Sequence, residues 1–184
     1  MNPAGLPPSV GREHIHTRRV VSQGNLRADG LWDIEAGIED TKTYFARNAD
    51  GRERQPGEPI HHMQVRLTLD DTLKVIDAVA AMPATPFDEC TPAADPVRGL
   101  IGATIGPGWR KAIVEVMGGI RGCTHVRELI AAMATVASGL AKPASRALKP
   151  FMRAKTASKL WPANTASTAL VATALALKPL LLAQ

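Results

Sequence analysis

The chain has 184 residues, 22 Lys+Arg against 17 Asp+Glu for a formal net charge of +5, and 45% apolar residues. That composition excludes wholesale disorder and collagen-like repetition, and leaves material for one compact domain plus an extension. Aromatic residues make up only 4%, which argues against a base-stacking nucleic-acid platform; two cysteines are too few for a disulfide-stapled secreted scaffold.

The N-terminal stretch MNPAGLPPSVGREH lacks the apolar core of a signal peptide, so the expected location is the cytoplasm. Charge is placed unevenly. Residues 1–140 hold 15 basic and 17 acidic side chains, whereas the last 44 hold seven basic ones and no acidic ones. The expected organisation is a flexible N-terminus over 1–11, a single domain over 12–140, and a basic Ala/Pro/Thr-rich tail over 141–184 that is poorly ordered. The apolar run at 169–177 is cut by Lys178-Pro179 and falls short of the roughly 20 residues a bilayer span needs, so no membrane span is expected.

In chain order, strands come first. Residues 13–26 read as a strand, Asp29-Gly30 as a two-residue hairpin turn, and 31–44 as the partner strand. Trp32, Ile34, Ala36 and Ile38 share one face, with Asp33, Glu35 and Gly37 on the other. In that register Arg19 faces Asp40 and His16 faces Thr43. A polar loop covers 47–59. The third strand puts Met63, Val65, Leu67 and Leu69 on the core face and His62, Gln64, Arg66 and Thr68 opposite. Asp70-Asp71-Thr72 then turns into a fourth strand over 73–82.

After Pro86 the period changes to helical. A short helix suits 95–104 and is broken by Gly106-Pro107-Gly108; a second covers 109–117 and ends at Gly118-Gly119. The longest, 123–140, carries the apolar stripe Val126, Leu129, Ile130, Met133, Val136 and Ala137. The fold class is therefore α+β: four mainly antiparallel strands followed by three helices packed on one sheet face.

The strings HTRR (from His16), DGLWDIEAGIEDTKTY (from Asp29), GEPIHHMQVRLTLDD (from Gly57) and IGPGWRKAIVEVMGGIRGCTHVRELI (from Ile105) resemble the bacterial family called domain of unknown function 2889. The resemblance covers roughly residues 12–140 and implies no particular activity. It also implies a further C-terminal segment with another Cys-His pair. Here Lys159-Leu160-Trp161-Pro162 is its only echo, which fits a diverged tail or a frameshifted one. A weaker resemblance, in the order of elements alone, is to iron–sulfur cluster scaffold proteins, which usually offer three cysteines.

Cys123 sits where the longest helix should begin, so the helix dipole and Arg121 would favour its thiolate. His125 lies about 200° around a regular helix from Cys123, so the two converge only if Cys123 precedes the first turn. Cys90 lies in a Pro-flanked loop. Cys90, Cys123, His62 and His125 form a chemically sensible N/S set for zinc or an iron–sulfur centre. The bland readings are a buried core cysteine and a capping histidine. Asp33 and Glu35 share a strand face and read best as a salt-bridged surface. Gly118-Gly119-Ile120-Arg121-Gly122 would let backbone N–H groups and Arg121 meet an anion, or would be a tight connection only.

Three functions follow. The first is a metal- or iron–sulfur-binding accessory or scaffold protein using cysteine thiolates. The second is a small cofactorless enzyme with Cys123, His125 and Arg121 acting on an anionic small molecule. The third is a binding module whose basic tail contacts an acidic partner protein, or nucleic acid non-specifically.

Overall fold

The computed structural model describes residues 7–48 and 51–140. Four strands, β1 (His16–Leu26), β2 (Trp32–Lys42), β5 (Pro59–Leu69) and β6 (Val75–Ala84), form one antiparallel sheet in the order β1-β2-β5-β6. Two short strands, β3 (Ala46–Arg47) and β4 (Glu53–Arg54), make a separate ladder within the polar loop. The α+β architecture with helices on one face is as the residue pattern predicts.

The alternation of β2 and β5 explains the sheet. Ile34, Met63, Leu67 and Leu69 are completely buried, and each such side chain contributes about 1.5–3 kcal/mol by leaving water. Their face is covered by α1 (Trp109–Met117), α2 (Thr124–Gly139) and a 3-10 segment, Pro92–Leu100. Helix α2 lies against β1, β2 and β5, and the 3-10 segment lies against β6. Val126, Leu129, Ile130, Met133 and Ala137 give α2 its buried stripe.

Two differences from the sequence reading have physical causes. The short helix expected at 95–104 is a 3-10 segment, because Pro96 inside it removes an N–H donor. The chain then turns at Ile101-Gly102, and Val75 exchanges hydrogen bonds with Gly102 and Ala103, which covers the start of edge strand β6.

The β1–β2 register is also one residue away from the expected one. The connection is a three-residue loop: Gly30 N–H donates to Arg27 O, Arg27 N–H donates to Leu31 O, and Gly30 sits at φ 87°. This is a turn closed by a left-handed glycine, a geometry that shifts pairing by one relative to a two-residue turn. Arg18, rather than Arg19, therefore faces Asp40, and His16 faces Lys42.

Candidate metal centre

The strand alternations that build the core end in polar residues. On β2 the series Trp32, Ile34, Ala36, Ile38 continues in phase to Asp40, which is 1% exposed. On β5 the series Leu69, Leu67, Val65, Met63 continues to His61, which pairs with Asp40 across the ladder. A β-bulge follows at Asp40/Thr41, the kind of irregularity that re-aims side chains at the end of a sheet.

Asp40 is held by a fork. Arg18 Nε donates to Oδ1 at 2.7 Å and its Nη2 to Oδ2 at 2.6 Å. His16 Nε2 stands 3.7 Å from Oδ1. Burial pushes the Asp40 carboxyl up, but the Arg18 hydrogen bonds and the charges of Arg18, His61 and His16 hold it below the usual carboxylate value.

His61 Nδ1 lies 2.8 Å from Asp40 Oδ2, yet it is buried and has no hydrogen-bond partner of acceptable geometry. The short contact is therefore off the line a hydrogen bond needs. The His61 ring stands 4.3 Å from that of His125, centroid to centroid, at an interplanar angle of 43°. Burial and the neighbouring His125 lower the His61 pKa, which favours a neutral His61 imidazole able to donate a lone pair. One donor atom from each of Asp40, His61 and His125 lies within 4.8 Å of the others.

Cys123 is the N-cap of α2, with φ −65° and ψ 128°, so it precedes the first helical turn. In that position its Sγ comes to 4.0 Å from His125 Nδ1. Burial raises the Cys123 thiol, but hydrogen bonding from His125 and from the backbone N–H groups of Val126 and His125 lowers it further, for a net depression. Cys90 closes a single turn, Asp88–Cys90, ahead of the 3-10 segment. Burial raises its thiol, and the charge of Cys123 raises it again.

The structure thus brings Cys123 and His125 together and adds His61 and Asp40. His62 is not among them: it points to the opposite sheet face, paired with Glu39, with Gln64 Nε2 at 3.4 Å from its ring. Arg121 is exposed and donates to Val114 O at 2.8 Å, at the end of α1. Its glycine-rich segment has local reasons for glycine. Gly119 sits at φ 62°, and a Cβ at Gly118 would strike the Val114 carbonyl.

Asp33 and Glu35 also lie on the opposite face, each with a partner: Thr68 and Arg27 for Asp33, Arg66 at 3.7 Å for Glu35. Between these strands runs an open groove of about 670 Å³ with Gly37 and Gln64 along it. The basic tail and its expected partners lie outside the described residues. Among the described residues, no helix is long and apolar enough to cross a membrane.

Fold and site define a small α+β protein with a buried aspartate and two adjacent, mutually tilted histidines between one end of its sheet and the start of its last helix. Residues 16–138 match the family described as protein of unknown function (DUF2889), and the chain belongs to that family. No curated protein and no solved structure matches it.

Proposed function

We propose that this protein binds a divalent metal ion of the zinc class through Asp40, His61 and His125. The observation that carries the reading is the buried Nδ1 of His61, which has no aligned hydrogen bond although a carboxylate oxygen is 2.8 Å away. Ligands of one ion sit close together with lone pairs converging on a point off the line between them, and an orphaned buried nitrogen is otherwise costly.

The clamp on Asp40 is compatible with this role. A carboxylate has about four lone-pair sites and Arg18 occupies one on each oxygen, so Oδ2 retains one toward His61. Neutral imidazoles with a carboxylate suit zinc and its first-row neighbours better than magnesium or calcium, which prefer all-oxygen shells. They suit an iron–sulfur centre less, since such clusters are held mainly by thiolates. The reading keeps the metal-binding expectation drawn from the sequence and its His125, with His61 and Asp40 in place of His62, Cys90 and Cys123.

Metal analysis of the purified full-length chain, with and without added zinc, tests it. One zinc per chain is expected, lost in His61→Ala and Asp40→Asn variants that retain the wild-type far-UV circular dichroism. A wild-type chain that takes up no stoichiometric zinc overturns the reading.

A further inference from the structure

Three protein donors leave a tetrahedral ion one position short, and Cys123 Sγ lies 4.0 Å from Nδ1 of one of them, His125, without itself belonging to the three. We propose that Cys123 closes the site as its fourth ligand, so that the ion is held by two nitrogens, one oxygen and one sulfur. This rests on the metal reading above and specifies which chemistry the site selects.

The sulfur–nitrogen spacing between Cys123 and His125 is close to what such a shell requires. With Zn–S of about 2.3 Å and Zn–N of about 2.0–2.1 Å, neighbouring sulfur and nitrogen ligands of a tetrahedral ion stand about 3.6 Å apart. Cys123 Sγ and His125 Nδ1 are 4.0 Å apart, so a small displacement closes the difference. Within a helix the two-residue spacing would put these side chains on opposite sides, but Cys123 is the residue before the first turn.

Its backbone is fixed on both sides. Cys123 N–H donates to Ala93 O at 2.8 Å, and its own carbonyl accepts from Arg127 N–H at 3.0 Å. Rotation about χ1 is therefore the freedom needed to bring the sulfur to an ion shared with His125, His61 and Asp40. The residue is 8% exposed, so the sulfur faces the protein interior rather than bulk water.

The step is a simple exchange. Cys123 Sγ loses its proton to solvent and donates an electron pair to the metal, so one proton is released by the thiol per ion bound. A thiolate in the shell favours zinc, cobalt(II) and their soft neighbours and disfavours magnesium, calcium and manganese. Cys90, the chain's other cysteine, is outside this set and serves as the control.

Cobalt(II) is the probe, because a cobalt–thiolate bond gives an intense near-ultraviolet charge-transfer band that nitrogen and oxygen ligands do not. Metal-free full-length protein titrated with cobalt(II) is expected to show that band saturating at one ion per chain, unchanged in Cys90→Ser. Cys123→Ser should still take up cobalt through the remaining three donors, with about 10–100-fold weaker affinity and no such band. Cobalt bound to the wild type without the band, or a band that survives in Cys123→Ser, overturns the fourth ligand alone. No cobalt or zinc uptake by the wild type overturns both readings. The wild-type spectrum decides the matter even if a Cys123 variant fails to fold.

Discussion

At Asp40 a carboxylate almost wholly removed from water accepts two hydrogen bonds from one guanidinium. The Arg18 end of that pair is 39% exposed, so solvent screens part of the attraction. Arg18→Gln should therefore cost only about 1–2 kcal/mol in urea unfolding, while weakening zinc affinity about 10–100-fold, because the fork orients the ligand oxygen. A loss of stability with unchanged zinc affinity would show the clamp to be structural only.

The same residues set an acid limit in the metal-free protein. His61, with its pKa lowered by burial and by His125, contributes stability that is present above the ordinary histidine value and lost as pH falls below about 6.5. Asp40, lowered by Arg18 against its own burial, adds stability that is present above the ordinary carboxylate value and lost below about pH 4. Urea midpoints measured across pH should fall in two stages, and His61→Gln should remove the upper one.

At the scale of elements, α2 ties the site to the core. Met133 is fully buried on its inner face, so Met133→Ala should cost about 2–5 kcal/mol in chemical unfolding. At the break after α1, a Cβ on Gly118 meets the Val114 carbonyl, and Gly118→Ala should destabilise by about 1–3 kcal/mol. Tolerance of that substitution would mean that the connection can relax.

Most elements were legible because their periods are clean: two for the sheet, helical for 109–117 and 123–140. His61 was missed for an instructive reason. It stands in phase with Met63 and Val65, just as Asp40 stands in phase with Ile38, so both occupy core-face positions at the ends of apolar alternations. Polar residues in buried phase on two neighbouring strands were the available signal. Its place on the non-core face of the strand favoured His62, which has the opposite phase. The convergence of Cys123 and His125 was conditional on where α2 starts, and a one-residue difference in that boundary decides it. The turn register was not legible, since Asp29-Gly30 suits two- and three-residue loops alike.

For the whole molecule, an ion held as proposed by residues of β2, β5 and α2 would join the sheet to its covering layer. Because the unfolded chain holds no such arrangement, zinc at about a hundred times its dissociation constant should add about 2.7 kcal/mol and raise the melting temperature by several degrees. Differential scanning calorimetry of the metal-free and zinc-loaded full-length chain checks this. Equal transitions would mean that the ion does not bind the native state preferentially.

The three-residue loop between β1 and β2 carries a liability for heredity. It lies roughly 27 Å of strand away from Arg18 and touches no ligand of the site. A substitution that let the hairpin close on Asp29 and Gly30 as a two-residue turn would nonetheless pair Ala28 with Leu31 and slide β1 by one step. Arg19 would then stand opposite Asp40, and every β1 side chain would change faces. The composition of the site is thus written partly in the type of a distant turn.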